Sequence, residues 1–413
     1  MFRRLTIIRR SYDIAEMSGN QSDNLTLART NTRDRHYPFG IKPADRLLHL
    51  YVIGKTGVGK TTLLENMIAQ DIAAGRGCAL IDPHGDLVER IAERVPAWRR
   101  DDVIYVNVPD MQQPYTYNPL ARVSAEKQSL VASGLMEVFK KMWGDAWGVR
   151  MEHILRNALL TLLQQPAATV PDILRLFADK DYRKAAVARI TNKQVKLFWK
   201  TEFEQYNIRQ RPEALAPIQN KVGAFLSDPR IHRIVAGSGT PIRLRSIMDE
   251  GKVLLVNLAK GKIGDDSAGV LGGLFVTSLG LAAYSRSDIP EEQRRPFFIY
   301  IDEFQNFTTL SIANMLSELR KFRVGMVLAH QYLAQLDQDI RHAVLGNAGT
   351  LISFRIGPED AALLAREFEP IFTPLDLMNL PNHDIYIKLM IDGTPSRPFS
   401  ATTLSPITDN FRR

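Results

Sequence analysis

Cysteine is almost absent from this sequence, since Cys78 is the only one in 413 residues. A single cysteine cannot form an internal disulfide, so a reducing, cytoplasmic location is expected. Acidic residues are the minority among the charges, 45 Asp and Glu against 53 Lys and Arg, which leaves a net charge of +8. That balance weakly favours a polyanionic partner such as nucleic acid or acidic lipid.

Long hydrophobic runs are also scarce. The N-terminal stretch MFRRLTIIRRSYD has an apolar core of only Leu5 to Ile8, which is too short for a signal peptide. The best candidate for a membrane span is the uncharged stretch from Ser267 to Ser285, but a span needs about 20 mostly apolar residues. Small and hydroxyl residues interrupt this stretch, and it lies between two predicted strands. We therefore predict a buried helix packed on a sheet, and a soluble protein.

The overall composition is that of a folded protein, with 45% hydrophobic and 24% charged residues. After a polar beginning, short apolar runs alternate with helical segments, which is typical of a parallel sheet covered by helices. Strand patterns then give way to amphipathic helices and later resume. The predicted division is a weakly structured lead-in at 1–40, the first part of an α/β core at 41–123, an all-helical insertion at 124–249, the second part of the core at 250–399 and a tail at 400–413.

A glycine-rich stretch, GKTGVGKTT, follows the predicted strand LLHLYVI. It matches the phosphate-binding pattern G-x-x-x-x-G-K-[ST], with the strand before it and the helix after it that this pattern requires. Glycines let backbone N–H groups converge on phosphate oxygens, and the helix N-terminus adds its positive dipole end. Lys60 is expected to reach the β- and γ-phosphates, and the Thr61 hydroxyl to ligate Mg²⁺. The predicted nucleotide-binding residues are Gly54, Lys55, Thr56, Gly57, Val58, Gly59, Lys60, Thr61 and Thr62.

Two acidic residues end a second apolar run, FFIYIDEF. Its apolar residues predict a buried central strand that delivers Asp302 and Glu303 at its C-terminal end, where ligands bind in open α/β sheets. We expect Asp302 to hold the Mg²⁺ shell and Glu303 to orient and deprotonate an attacking water. The next strand, RVGMVLAHQ, ends in Gln331, whose amide is predicted to sense the γ-phosphate. One interpretation of the neighbouring His330 is that its side chain faces solvent.

Several arginines are candidates for a finger, which a neighbouring subunit supplies to neutralise charge on the transferring phosphoryl group. We rank Arg320 in ELRKFRVGM first, Arg355 at the end of TLISFRI second and Arg46 third, with a solvated surface charge as the alternative. The stretch DPHGD, Asp82 to Asp86, is predicted to shape the phosphate edge, to face DNA, or to be only a turn before a helix. The loop histidines show no metal-ligand spacing, so no structural zinc is predicted.

In order along the chain, the motifs are GKTGVGKTT, LIDPHGDL, a helical insertion, KVLLVNL, FIYIDEFQNF, ELRKFRVGMVLAHQ and FRIGPEDA. This set resembles the FtsK/HerA superfamily of ring-forming DNA translocases, and most closely the cytosolic ATPase domain of conjugative type IV secretion coupling proteins. The resemblance runs from about Phe39 to Phe399. It implies an α/β fold, namely a RecA-like P-loop core with a mainly parallel sheet and an all-α inserted domain.

The resemblance also implies a function: hydrolysis of ATP with Mg²⁺, coupled to sequence-independent translocation of DNA through the pore of a hexameric ring. ATP would lie between subunits, with Lys60, Thr61, Asp302 and Glu303 on one side, and Gln331 matches the family's sensor glutamine. The family's finger arginine lies in a G-R-K-x-G-like stretch. Here that stretch reads Leu319-Arg320-Lys321-Phe322-Arg323, which supports Arg320 but lacks the glycine before it.

Coupling proteins usually carry an N-terminal membrane anchor, and no such segment is predicted in this chain. The expected location is therefore cytoplasmic, or peripheral at the inner membrane through a partner such as a secretion-system protein, a relaxase or a nuclease. The alternative function is a nucleotide-gated scaffold with slow ATPase activity in a mobile-element or phage-defence complex. A G protein is disfavoured, because the NKx stretch Asn192-Lys193-Gln194 continues with Val195 and not with the aspartate that reads guanine.

Overall fold

A computed structural model describes residues 24–31, 36–121, 123–144, 147–206 and 210–406, without the side chains of 210–212. The described chain divides into two compact units. Unit 1 comprises the described residues of Met1–Tyr105, Arg245–Asn257 and Ala282–Arg413, and unit 2 those of Val106–Leu244 and Leu258–Leu281.

The strands, in chain order, are β1 (Leu25–Thr30), β2 (Pro38–Ile41), β3 (Leu50–Ile53), β4 (Gly77–Asp82), β5 (Val103–Asn107), β6 (Tyr115–Thr116), β7 (Thr240–Pro241), β8 (Val253–Asn257), β9 (Phe297–Ile301), β10 (Val324–His330), β11 (Thr350–Ser353), β12 (Asp384–Lys388), β13 (Met390–Ile391), β14 (Thr394–Pro395) and β15 (Phe399–Thr403).

The helices are α1 (Pro43–Arg46), α2 (Lys60–Ala73), α3 (Asp86–Glu93), α4 (Gln128–Met142), α5 (Val149–Leu162), α6 (Asp172–Ala178), α7 (Lys180–Ala188), α8 (Lys193–Leu197), α9 (Phe203–Gln205), α10 (Gln210–Ser227), α11 (Pro229–Ala236), α12 (Leu244–Glu250), α13 (Lys260–Ile263), α14 (Asp265–Tyr284), α15 (Leu310–Glu318), α16 (Gln338–Asn347), α17 (Pro358–Phe368) and α18 (Pro374–Asn379).

Eleven of the described strands form one sheet, in the order β2-β1-β15-β12-β11-β3-β10-β9-β4-β8-β5. Its centre is parallel, from β11 through β3, β10, β9 and β4 to β8. These strands are short apolar runs without polar alternation, and every residue of β3, β9 and β10 is buried, as expected for a sheet covered on both faces. The predicted α/β class with a mainly parallel sheet is confirmed.

One edge of this sheet is antiparallel, and it uses segments that the sequence analysis placed outside the core. β1 lies within the predicted lead-in at 1–40, and β15 extends into the predicted tail at 400–413. The two strands pair with each other, Ala28 opposite Thr403. Gln70 of α2 fixes β1 further, because its side chain bonds both the N–H and the C=O of Thr26. The remaining lead-in and tail, 1–23, 32–35 and 407–413, lie outside the described residues.

Unit 2 is mainly helical, as predicted for the insertion, but its bounds differ from 124–249. It begins earlier, at Val106, and also takes in residues 258–281. Tyr117 shows why: its ring stacks on Phe275 at 4.1 Å between centroids, and its hydroxyl donates to the Leu274 carbonyl at 2.8 Å. Trp143 is also buried in this unit, and its ring stacks on Phe139.

One helical segment among the described residues, Asp265–Asp288, is long and apolar enough to span a membrane by length and composition, with a mean hydropathy of 1.5. It carries α14, and 72% of its most apolar stretch is buried inside the protein. Gly273 lies so close to α4 that a Cβ there would be 3.0 Å from Val138. Such burial is that of a core helix, so the segment is weak evidence for a membrane span.

Arg46, the third-ranked finger candidate, is fully buried beneath the sheet of unit 1. Its guanidinium forms two 2.7 Å hydrogen bonds to Asp71 and a third to the Tyr300 hydroxyl, and it covers the Phe298 ring. Arg76 holds the same carboxylate at 2.7 Å. A residue so enclosed cannot reach a neighbouring subunit, so the finger interpretation is wrong for Arg46. The sequence offered no sign of this, because its partners lie far away in the chain.

Replacing Arg46 with Met is expected to destabilise unit 1 by about 3 kcal/mol, because the mutation leaves a buried carboxylate with one cation fewer. Burial alone raises the pKa of Asp71, but the charges and hydrogen bonds of Arg46 and Arg76 outweigh it and hold this pKa below its ordinary value. A lowered folded-state pKa stabilises above the unfolded value of 3.8, and this stability is lost as pH falls through the folded value.

Urea unfolding of Arg46→Met beside Arg100→Met, which alters an exposed arginine, measures this effect. The difference in free energy of unfolding between wild type and Arg46→Met should be largest at neutral pH and should decrease below about pH 4. A difference no larger than that of the control, or one that grows in acid, would contradict the prediction.

Candidate functional site

The glycine-rich loop connects β3 to α2, as the sequence predicts. Gly57 and Gly59 have φ of 76° and 120°, which side chains of L-residues rarely adopt. Space is also restricted at Gly59, where a Cβ would lie 2.9 Å from the His383 imidazole. At Gly54 a Cβ would lie 2.6 Å from Phe354. Glycine is therefore favoured at these three positions, where a side chain would be strained or would meet a neighbour.

Lys60 is the first residue of α2 and is 6% exposed. Its ammonium donates to the Gly54 carbonyl at 2.6 Å and to the Lys55 carbonyl at 3.0 Å, so it bridges back to the beginning of the loop. Burial lowers its pKa, although the carboxylates of Glu303 and Asp302 act in the opposite direction. Thr61 and Thr62 follow in the first turn, both half-buried.

The acidic pair leaves the sheet at the same edge as the loop. Leu328 of β10 is level with Tyr51 of β3 on one side and with Ile301 of β9 on the other. Because the three strands are parallel, the residues after Ile53 and after Ile301 emerge together, separated by the single strand β10.

Asp302 is 7% exposed, and its carboxylate accepts the N–H of Glu303 at 3.0 Å. Burial, followed by the charges of Asp82 and Glu303, raises the pKa of Asp302 to about 7. A bound cation would favour the charged form and reverse this shift, so the carboxylate suits a divalent ion. No group of three or more His, Cys, Asp or Glu that could hold a metal occurs in the described part of the chain. Mg²⁺ here would need phosphate oxygens as well, as is usual for this ion.

A continuous line of hydrogen bonds joins the glycine-rich loop to Glu303. The Thr56 hydroxyl donates to Oε1 of Gln331 at 3.0 Å, and Nε2 of Gln331 donates to Oε1 of Glu303 at 2.7 Å. Nε2 of Gln305 donates to the other oxygen of Glu303 at 2.6 Å. The structure thus brings Thr56, Gln331 and Glu303 together at one edge of the sheet. The contact of Gln305 has no signal in the sequence.

Glu303 also has an unusual backbone, with φ 47° and ψ 49° in the left-handed region. For a residue other than glycine this conformation costs about 1 to 3 kcal/mol and is typical of functional sites. The side chain is 8% exposed. Glu303 is therefore held at the sheet edge by its backbone and by both carboxylate oxygens.

The structure also decides the positions of His330 and of the DPHGD stretch. His330 does not face solvent: it is fully buried, its Nε2 lies 2.9 Å from the Tyr51 hydroxyl, and burial lowers its pKa to about 3, so the ring is neutral. Among the three interpretations of DPHGD, the structure supports the turn before a helix. The Asp82 carboxylate accepts the N–H groups of Leu87 and Val88 at the start of α3.

The two remaining arginine candidates differ in exposure. Arg355 is half-buried and donates to the Leu380 carbonyl at 3.2 Å and to the Asn382 side chain at 2.9 Å. It braces the segment whose His383 N–H donates to Val58 of the glycine-rich loop at 2.8 Å. Arg320 is exposed in the turn after α15. Of the three arginines, Arg320 is the one whose side chain lies at the surface.

The fold and these residues define a RecA-like P-loop protein with a helical unit, and known proteins share this arrangement. Residues 40–201 match the family model for the DNA-binding domain of type IV secretion-system coupling proteins. No curated protein sequence matches the chain. The chain has the coupling protein-like P-loop fold of the FtsK/HerA type, which confirms the predicted resemblance.

Solved structures give the same result for the fold. The unbound bacterial conjugative coupling protein TrwBdeltaN70 is similar at 18% identity and a TM-score of 0.66, covering 94% of this chain and 90% of that one. The plasmid coupling protein TrwB in complex with ADP and Mg²⁺ has 18% identity and a TM-score of 0.66, covering 96% and 93%. VirB4 of Thermoanaerobacter pseudethanolicus has 12% identity and a TM-score of 0.63, covering 94% and 97%.

Alanine at Gly59 is expected to destabilise the protein more than alanine at Gly57. Both substitutions force an L-residue to positive φ, which costs about 1 to 2 kcal/mol. At Gly57 the added methyl meets nothing within 4 Å, whereas at Gly59 it must also displace His383. Thermal unfolding of the two variants tests this difference. Equal losses would show that the imidazole does not restrict the loop.

Proposed function

We propose that this chain hydrolyses ATP with Mg²⁺ and uses the free energy to move DNA through the centre of a ring of identical subunits. The observation that carries the proposal is the hydrogen-bonded line from Thr56 through Gln331 to Glu303, which couples the phosphate loop to an acidic pair. The coupling-protein match at residues 40–201 is described as a DNA-binding domain. TrwB, whose fold is similar, has been seen with ADP and Mg²⁺.

Each site residue has one role in this proposal. The buried ammonium of Lys60 donates to the carbonyls of Gly54 and Lys55. When ATP binds in the loop, the ammonium donates instead to β- and γ-phosphate oxygens. The hydroxyl of Thr61 and the carboxylate of Asp302 would hold Mg²⁺, which would supply positive charge to neutralise the phosphates. Glu303 accepts a proton from the water that attacks the γ-phosphorus.

Gln331 is the residue through which hydrolysis would be sensed. Its amide is shared between the loop hydroxyl and the carboxylate, so a γ-phosphate that displaces the Thr56 contact also disturbs the bond to Glu303. Loss of the phosphate restores both bonds. The state of the nucleotide is thereby coupled to β10, which ends one residue before this glutamine.

DNA is the proposed track, contacted through its phosphate backbone without sequence readout. The net charge of +8 is compatible with such a partner but does not select it. We propose a hexamer with ATP between subunits, a cytoplasmic location, and attachment at the inner membrane through a partner. A secretion-system protein, a relaxase or a nuclease would be that partner.

Glu303→Gln is expected to keep ATP binding and to lower the steady-state ATPase rate by about 100-fold or more, because it removes the general base. The wild-type rate should rise with long DNA and the variant's rate should not. The form of DNA, double- or single-stranded, that stimulates the wild-type rate more is the expected substrate for translocation. A slow wild-type rate that is indifferent to DNA would reject the motor and favour the nucleotide-gated scaffold.

Arg320→Ala is expected to retain nucleotide binding and assembly but to lose hydrolysis by about 1,000-fold, because the finger acts on the neighbour's phosphates. Lys321→Ala, which removes the adjacent exposed cation, is the matched control. Mixing Arg320→Ala with Glu303→Gln should restore part of the rate, since some interfaces then combine both intact residues. Failure of mixing to restore any activity, while each variant assembles, would exclude action across subunits.

A further inference from the structure

The segment that follows β9 folds back around Glu303. Nε2 of Gln305 lies 2.6 Å from Oε2 of Glu303, and the Asn306 side chain donates to the Glu303 carbonyl at 2.9 Å. Phe304 and Phe307, which are 0% and 2% exposed, anchor this turn in the core. The turn therefore holds both the backbone and the carboxylate of Glu303 from one side.

The orientation of the Gln305 amide is fixed by its neighbour. A carboxylate only accepts hydrogen bonds, so the NH₂ group and not the carbonyl must face Glu303. The carbonyl oxygen Oε1 is then buried and has no hydrogen-bond partner within the described chain. A buried acceptor without a donor is unfavourable. Folding thus gains little from this amide, and its one strong contact is the bond to Glu303.

Gln305 and Gln331 hold the same carboxylate in different ways. Gln331 is connected through Thr56 to the loop that receives phosphate, so its bond responds to the nucleotide. Gln305 bonds no residue of that loop in the described structure, so its hold on Oε2 is independent of the nucleotide. One oxygen of Glu303 is therefore held by a residue without a link to the phosphate loop, and the other oxygen by a residue that has such a link.

We propose that Gln305 is a positioning residue for hydrolysis, which fixes the Glu303 carboxylate while Gln331 exchanges partners. The inference rests on the proposed ATPase function. A carboxylate has about four lone-pair sites, and two amides leave sites free for water. That water donates its proton to a Glu303 oxygen as its own oxygen bonds the γ-phosphorus, and the bridging oxygen leaves with ADP. Without Gln305 the carboxylate can rotate away from this direction.

The test replaces Gln305 with Met, which keeps the length of the side chain and removes the donor. We expect kcat to fall about 10- to 100-fold, because misplacing a reacting group by about 1 Å can cost that much. KM and the Kd of a non-hydrolysable ATP analogue should stay within about twofold, since Gln305 acts on the base and not on the nucleotide. The melting temperature should hold or rise, because the substitution also removes a buried unsatisfied acceptor.

Gln305→Glu provides a second variant, in which a carboxylate faces Glu303. Its kcat should fall at least as far as that of Gln305→Met, because like charges repel at this distance. Gln293→Met is the control. It makes the same chemical change at an exposed glutamine that precedes the first residue of β9, and it should behave as wild type.

The outcomes separate this inference from the ATPase proposal. If wild type is faster than Glu303→Gln but Gln305→Met equals wild type, the positioning role alone is overturned. A loss of kcat accompanied by a lower melting temperature and weaker nucleotide binding would assign Gln305 a structural role and also overturn it. If wild type is no faster than Glu303→Gln, the ATPase proposal fails, and with it any role of Gln305 in hydrolysis.

Discussion

Parallel pairing of β10 with both β3 and β9 is the constraint on which the site depends. The register sets Leu328 level with Tyr51 and with Ile301, so the phosphate loop, the acidic pair and Gln331 all leave the sheet at one edge. Thr56 thereby comes within hydrogen-bonding distance of Gln331, 275 residues further along the chain, and Gln331 within that distance of Glu303. A slip of one residue in β10 would turn His330 outward and Gln331 inward, and the line from Thr56 to Glu303 could not form.

The groups at this edge are unfavourable for folding when taken alone. Lys60, Asp302 and Glu303 are all nearly buried, Asp302 has its pKa raised to about 7, and Glu303 has a strained backbone. The core of unit 1 offsets this unfavourable free energy. Its apolar strands are buried on both faces, and the buried Arg46 is paired with Asp71. Such strain at a site held by a rigid core is typical of pre-organised catalytic groups.

Two amide contacts of different kinds are combined at Glu303. Gln305, on the turn after β9, offers a contact without a link to the phosphate loop, and Gln331, at the end of β10, offers one with such a link. A carboxylate held only by Gln331 would lose its orientation whenever that glutamine changed partner. In the proposed mechanism, Gln305 positions the carboxylate and Gln331 senses the nucleotide, so the two tasks belong to residues that follow two neighbouring strands.

Local patterns in the sequence were sufficient for the parallel strands at the centre of the sheet, for the glycine-rich loop at Gly54 to Thr62 and for the acidic pair. The reason is physical: a buried parallel strand needs a continuous apolar run, and a phosphate loop needs glycines at fixed spacing, so both leave their mark within about ten residues. The α/β class and the helical unit followed from the same local signals.

Only the tertiary structure decided which polar residues are buried and what they meet. Arg46, His330 and Arg355 look alike as polar residues near motifs, yet one joins a buried ion pair, one is a neutral core ring and one braces a loop. β1 and β15 became strands because each is the other's partner, hundreds of residues away. The hydrogen bond from Gln305 to Glu303 depends on how the turn after β9 folds back. Hydrogen bonds and ion pairs depend on distances of a few ångströms between chain segments, and a single sequence does not contain those distances.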